Sequence, residues 1–159
     1  LRDKIKLELK ESDITFYDPY LIVKKRRGEW QKEYNQMTIR RANENDIPRL
    51  IELLEQVLQI HADNRPDIFI PGTTKYTNEE LTQMIKDDTK PIYVAADEND
   101  NCLGYAFCQL REQPFSNNMV PFTSLFIDDL CVDASTRGQH IGEKLFVHVK
   151  EEAKSLGCY

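Results

Sequence analysis

The segment from residue 125 to residue 156 constrains the fold more than any other part of the sequence. An apolar strand pattern over residues 125–132 is followed by a short turn with two glycines, and an amphipathic helix pattern begins directly after it. The first backbone N–H groups of a helix lack intrahelical partners, and the helix dipole adds roughly half a positive charge at that end. The order of strand, glycine turn and helix therefore predicts a site for an anion such as a phosphate.

Two adjacent carboxylates, Asp128 and Asp129, interrupt the apolar strand pattern. A strand that only packed in a core would avoid unpaired charges, so we interpret the pair as part of a functional site. The helix pattern repeats at spacings of three or four and predicts a face that packs on the sheet, formed by Ile141, Leu145, Val149, Ala153 and Leu156. The charged residues are expected largely on the other face, and they are Glu143, Lys144, Lys150, Glu151, Glu152 and Lys154.

Three consecutive pieces of this segment resemble the signature of the GNAT superfamily of N-acetyltransferases. The strand ends in Leu130-Cys131-Val132, residues 133–136 form a short polar linker, and the turn reads Arg137-Gly138-Gln139-His140-Ile141-Gly142. His140 stands where that family usually has a glycine, and His tolerates a positive φ better than most residues. The glycine spacing fits neither a P-loop nor a dinucleotide-binding fingerprint.

The resemblance implies an α/β (α+β) fold, in which helices flank a mixed, mostly antiparallel sheet, and acetyl-CoA as cosubstrate. The cofactor-binding residues that it implies are Leu130, Cys131, Val132, Arg137, Gly138, Gln139, His140, Ile141 and Gly142. In the family, main-chain N–H groups near the strand end bind the thioester oxygen and the pantetheine arm. Cys131 is then not needed as a nucleophile, and a Cys-based mechanism is the less favoured alternative.

From Met37 onward, the sequence predicts secondary structure in the order that the family shows. Strands are predicted over residues 38–42, 91–96, 103–110 and 125–132, with a hairpin turn at residues 97–101. Helices are predicted from a cap at Asn45 and Asp46 through His61, over residues 78–87, and from Ile141 onward.

Transfer of an acetyl group to an amine requires the neutral amine, and a lysine-like amine is neutral in only about one molecule in 10³ near pH 7. A general base removes that obstacle. The resemblance implies Asp128 for this role, with Asp129 in reserve. Successive strand residues point to opposite faces, so only one of the two should reach the amine unless a bulge intervenes. A purely structural role for both carboxylates stays open.

The loop that follows the first predicted helix lies where relatives build the pocket for the acceptor. Arg65, Asp67 and Phe69 are therefore candidate substrate contacts, although a packed loop anchored by Pro66 and Phe69 explains the same residues. The net charge of −6 favours the approach of cationic amines without identifying one.

The charge of the chain changes near Met37. Residues 1–36 carry a net charge of +2, whereas residues 37–159 carry −8. We interpret residues 1–36 as an extension of unknown role, with an amphipathic piece over residues 1–9, a turn at Asp18-Pro19 and a strand over residues 20–23. Residues 37–159 are interpreted as the acetyltransferase domain. The basic run over residues 24–28 is expected to be a solvated surface, and a nucleic-acid partner is disfavoured.

The resemblance stops at residues 157–159, which read as the start of a further strand. We therefore expect a C-terminally truncated domain, and we expect its open sheet edges to favour a homodimer, with strand exchange through residues 1–36 as one route. The predicted function is transfer of acetyl from acetyl-CoA to a primary amine; the alternative is a non-catalytic CoA-binding or assembly module.

Cysteine usage and hydropathy bear on location. The four cysteines form no C-x-x-C pair, which predicts reduced thiols and a cytoplasmic protein, and they are Cys102, Cys108, Cys131 and Cys158. A zinc site with His61 or His148 is disfavoured by the spacing, so no metal is expected. No apolar run approaches the roughly 20 residues of a membrane span.

Overall fold

The computed structural model describes residues 21–26, 29–34 and 37–159, with the exception of residue 115. The chain divides between Gln36 and Met37 into two units. In the first unit, β1 (Leu21–Arg26) and β2 (Glu29–Tyr34) pair as antiparallel strands. Of the strand predicted over residues 20–23, residue 20 lies outside the described residues, and the strand continues from Leu21 through basic residues to Arg26. The predictions for residues 1–9 and for Asp18-Pro19 lie outside the described residues.

The second unit is built on a four-stranded sheet in which all neighbouring strands are antiparallel. The strand order is β3 (Thr38–Arg41), β4 (Ile92–Ala96), β5 (Cys102–Glu112) and β6 (Thr123–Val132). The helices are α1 (Ile47–Asn64), α2 (Asn78–Ile85) and α3 (Ile141–Ser155). This is the predicted α+β fold, and each strand and helix predicted from Met37 onward is present within a few residues.

Strand β4 shows why helices cover both faces of the sheet. Its side chains alternate, because successive residues of a strand point to opposite faces. Ile92 and Val94 pack in a core with the buried leucines of α1 and α2, whereas Tyr93 and Ala95 pack in a second core with α3. The sheet is therefore the middle of three layers.

Helix α3 packs on the sheet through Ile141, Leu145 and Val149, as its spacing predicted. Two residues depart from the prediction. Leu156 is half exposed because the helix ends at Ser155, and Lys144, expected largely on the outer face, is only 4% exposed. Lys144 follows Ile141 by three residues, and this spacing places both on the same side of the helix.

The helices differ in how they begin. A 3-10 turn, Glu44–Asp46, runs directly into α1, and the cap belongs to this turn: the Asn43 side chain accepts from Asn45 N–H while the Asp46 carboxylate accepts from Asn43 N–H. Thr77 and Glu80 form the same reciprocal cap at the start of α2. Helix α3 has no side-chain cap, so its first N–H groups remain available to another acceptor.

Among the described residues, no helix combines the length and the apolar character that crossing a membrane requires.

Candidate active site

A register shift between β5 and β6 brings the two adjacent carboxylates to one place. Phe107 pairs with Asp129 and Cys108 pairs with Ile127, so no residue of β5 stands opposite Asp128. A bulge of this kind breaks the alternation of side chains along a strand. Asp128 Oδ2 lies 3.1 Å from Lys75 Nζ, and Asp129 Oδ2 lies 3.6 Å from the same nitrogen. Both carboxylates therefore face a single amine.

The two carboxylates differ in their surroundings. The Asp128 side chain is 43% exposed, whereas that of Asp129 is 16% exposed and also accepts a hydrogen bond of 3.2 Å from the Tyr105 hydroxyl. Burial, together with the nearby Asp129 charge, raises the pKa of Tyr105, so its hydroxyl stays protonated as a donor. Asp129 is thus oriented by a tyrosine of the neighbouring strand β5, while Asp128 is the more accessible group.

Lys75 completes this cluster from the loop between α1 and α2. Burial disfavours its charged form, but the hydrogen bond to Asp128 and the surrounding negative charge outweigh that effect and raise the pKa of Lys75. The next residue, Tyr76, stacks on Phe107 with ring centroids 5.7 Å apart. The loop is therefore fixed to β5 immediately beside the ion pair.

A cavity of about 440 Å³ opens onto the carboxylate cluster. Its lining is mainly apolar side chains of α1 and of the following loop, together with two threonines, Lys75 and both carboxylates. The lining residues are Leu54, Val57, Leu58, His61, Ile68, Phe69, Ile70, Thr73, Thr74, Lys75, Asp128 and Asp129. A smaller cavity of about 230 Å³, lined in part by Tyr76, Lys90 and Gln109, also reaches Asp128. Apolar walls with a few convergent polar groups are typical of small-molecule sites.

The three candidate substrate contacts are placed differently from one another. Phe69 lines the cavity and stacks on His61 with ring centroids 4.8 Å apart. Arg65 and Asp67 pair with each other through two hydrogen bonds of 2.9 and 2.8 Å, and both are more than half exposed. Neither side chain lines the cavity, so the structure brings only Phe69 to the carboxylates.

The glycine turn before α3 contains two residues with a left-handed backbone. Gly138 has a φ of 81° and His140 a φ of 59°, both in the left-handed region that few side chains favour. His140 Nδ1 lies 2.9 Å from Glu143 Oε2, and Arg137 donates to the Val132 carbonyl. A Cβ at Gly142 would meet only Val132 Cγ2 at 3.5 Å and Leu130 Cδ2 at 3.7 Å, which is ordinary contact. The implied cofactor residues thus form one continuous strand end, turn and helix start.

Asp133, which follows β6, connects this turn to α1. Its carboxylate accepts hydrogen bonds from Arg49, Gln56 and Ser135, and Arg49 also donates to the Cys102 carbonyl. Burial opposes ionisation of Asp133, but these donors and the Arg49 charge lower its pKa overall. We refer to Arg49, Gln56 and Asp133 as the α1 clasp.

The cysteines lie in positions that suit packing. Cys102, Cys108 and Cys131 are buried, and no described cysteine forms a disulfide. Burial raises the pKa of Cys102 to about 11 and that of Cys108 to about 12. Burial and the Asp129 charge also raise the pKa of Cys131. A thiolate nucleophile at Cys131 is therefore disfavoured.

Sequence reasoning missed Lys75 and Tyr105. Lys75 lies 53 residues before Asp128 in an ordinary polar loop, and no local pattern signals their contact. Tyr105 falls on an apolar strand and reads as a core residue. In the structure Tyr105 pairs with Cys131, which lies two positions from Asp129. The hydrogen bond therefore depends on how β5 pairs with β6, and the local sequence does not determine that pairing.

Known protein families include one whose sequence model matches this chain. The sequence model described as Acetyltransferase (GNAT) family matches residues 54–159. No match was found among curated proteins.

Several solved structures are similar. A tetramutant of the BH1408 protein from Bacillus halodurans is 25% identical over 77% of this chain and 78% of that chain, with a TM-score of 0.71. An acetyltransferase from Vibrio fischeri is 23% identical over 77% and 90%, with a TM-score of 0.62. A glucosamine-6-phosphate N-acetyltransferase from Arabidopsis thaliana is 23% identical over 78% of both chains, with a TM-score of 0.56. The last two likenesses concern the fold alone.

Proposed function

The chain belongs to the GNAT family of acetyltransferases and is an acyltransferase, and from this premise we propose that it moves acetyl from acetyl-CoA to a primary amine by direct attack. The observation that carries the proposal is the carboxylate pair in the lining of the 440 Å³ cavity, where Asp128 already binds an alkylammonium group, that of Lys75, at 3.1 Å. An acceptor ammonium has the same chemistry and charge as this side chain.

Asp128 is proposed as the general base. It is the more exposed carboxylate and makes its described side-chain hydrogen bond to Lys75, a group that an incoming amine can displace. Asp129 is proposed to hold the acceptor's positive charge, since Tyr105 fixes its orientation. Removal of one proton converts the acceptor from the ammonium to the nucleophilic amine, a step that costs roughly 4–5 kcal/mol without a base near pH 7.

The acetyl-CoA site is proposed at the end of β6 and the start of α3. Support comes from the uncapped helix start and from the left-handed backbone at Gly138 and His140. These features leave N–H groups free to bind the pyrophosphate. Main-chain N–H groups at Leu130 to Val132 would receive the developing oxyanion of the thioester.

The acceptor is proposed to carry its amine on an apolar body. Support comes from the lining of the larger cavity, in which apolar side chains such as Leu54, Val57 and Phe69 accompany the two carboxylates. Asp128 and Asp129 carry two negative charges, and Lys75 neutralises only one of them. The remaining negative charge would attract a second cation. The cytoplasmic location, the homodimer and the roles of Arg65 and Asp67 stay predictions.

The first test is thermal unfolding with and without acetyl-CoA, with acetate and adenosine as control ligands. A ligand present at 100 times its dissociation constant adds about 2.7 kcal/mol of stability. A clear rise in Tm with acetyl-CoA alone supports the proposed site, and a cooperative transition that does not move would refute it.

A further inference from the structure

Lys75 places a primary amine of the protein itself at the proposed general base. Its Nζ lies 3.1 Å from Asp128 Oδ2 and 3.6 Å from Asp129 Oδ2, and the residue lines the larger cavity beside both. The side chain is 42% exposed, so it is neither sequestered in the core nor free in solvent. An external amine that reached Asp128 would take up this same position.

The placement of Lys75 does not depend on charge alone. Tyr76 stacks on Phe107, the residue of β5 that pairs with Asp129, and Lys75 Nζ lies 5.3 Å from the centre of the Tyr76 ring. On the other side, Thr77 caps the first turn of α2. The backbone that carries Lys75 is therefore anchored within two residues, and such anchoring keeps the amine near the carboxylates.

We propose that Lys75 is an acetyl acceptor in its own right, so that the protein acetylates itself at this position when acetyl-CoA is bound. The inference rests on the proposed function. Asp128 takes a proton from the Lys75 ammonium, and the nitrogen forms a bond to the thioester carbonyl carbon. The carbon–sulfur bond breaks, and coenzyme A leaves as a thiolate. The second proton lost by nitrogen goes to that thiolate, which gives an acetamide and a free thiol.

The product differs from the starting state in charge and in volume. The acetamide is neutral, so Asp128 and Asp129 lose their ammonium partner, and the acetyl group is added to a residue that lines the cavity. Self-acetylation therefore changes the site that an external amine would use.

Two other lysines serve as matched controls because each is also paired with a carboxylate. Lys86 lies 2.7 Å from Glu44 and is 65% exposed, and Lys154 lies 2.8 Å from Glu151 and is 61% exposed. Uncatalysed acylation needs an accessible neutral amine. Lys75 is less exposed than both, so solution chemistry favours the controls. Preferential acetylation of Lys75 would thus report the geometry of the site.

The experiment incubates the full chain with acetyl-CoA and follows acetylation of the three lysines by peptide mass spectrometry over time. Separate samples of the unmodified protein are treated with acetic anhydride, an acetyl donor that needs no binding site. We expect Lys75 to be modified first by acetyl-CoA, at a rate per molecule that does not change with protein concentration, and last by the anhydride. Asp128→Asn should slow modification of Lys75 by about 10²-fold or more and leave Lys86 and Lys154 unchanged.

A parallel assay offers a panel of primary amines to the wild-type protein and to Lys75→Arg, which keeps the positive charge but removes the acceptor. If amines are acetylated while Lys75 is modified no faster than Lys86 and Lys154, self-acetylation is wrong and the proposed function stands. If neither Lys75 nor any amine is acetylated, the proposed function is overturned as well. A rate that rises with protein concentration, or that is the same in Asp128→Asn, also contradicts the proposal.

Discussion

Replacement of Asp128 by Asn should change the pH dependence of turnover more than the stability of the protein. The Asp128 side chain is 43% exposed and holds one ion pair at 3.1 Å, and ion pairs of this kind contribute about 0–1 kcal/mol. The variant should therefore unfold close to the wild-type denaturant midpoint. Loss of a general base costs about 10²- to 10⁴-fold in rate, or roughly 3–5 kcal/mol of activation free energy.

The rate of the variant should then follow the concentration of neutral amine in solution. That concentration rises about tenfold for each pH unit below the amine pKa of about 10.4, so the logarithm of kcat/KM should rise with a slope near one. The wild-type slope should be shallower near neutral pH. The assay measures thiol release from acetyl-CoA across a pH series, with Glu151→Gln as a control that breaks the exposed pair with Lys154 far from the cluster in sequence. Equal pH profiles for Asp128→Asn and wild type would refute the reasoning.

Three further predictions concern stability and reactivity. A Cβ at Gly104 would lie 2.7 Å from the Cys131 carbonyl oxygen, so Gly104→Ala should lower the free energy of unfolding by about 1–3 kcal/mol in urea titration, and an unchanged midpoint would contradict the contact. The folded-state pKa of Asp133 is lowered, so its stabilisation is present above the ordinary Asp pKa and lost as pH falls through the folded value. Asp133→Asn should thus cost about 1–3 kcal/mol near pH 7 and progressively less in acid, whereas a pH-independent difference would argue against ionisation as the cause. In the native protein, iodoacetamide should label half-buried Cys158 before buried Cys108, whose pKa is raised to about 12, and peptide mapping that shows the reverse order would contradict the burial.

The segment over residues 125–156 illustrates how much of the fold a local sequence pattern can predict. The structure contains the predicted strand over residues 125–132, the turn and the helix from Ile141. They were predictable because each has its own periodicity or glycine signal in the sequence. The left-handed φ of His140 was anticipated only conditionally, since a histidine does not by itself require that backbone. Local sequence thus predicted the shape of the proposed cofactor site.

The acceptor side was less predictable because its geometry depends on contacts distant in sequence. Alternation predicted that one of Asp128 and Asp129 would turn away, and the bulge that brings both to Lys75 depends on the pairing of β6 with β5. Arg65 and Asp67 were predicted to contact the substrate because they lie in the loop that follows α1. In the structure they form an ion pair with each other and do not line the cavity. Charge and position in a loop did not reveal which side chains turn inward.

The α1 clasp connects helix α1 to the turn after β6, and these two elements have different proposed roles. Helix α1 supplies apolar walls to the acceptor cavity, whereas Asp133 lies between β6 and the glycine turn proposed for the cofactor. Arg49 and Gln56 of α1 both donate to this one carboxylate. Misplacement of reacting groups by about 1 Å can cost about 10²-fold in rate. The relative position of the two proposed substrates would then depend on three polar residues that do not line the larger cavity. A variant that weakens these hydrogen bonds would turn over slowly while it binds each substrate with normal affinity.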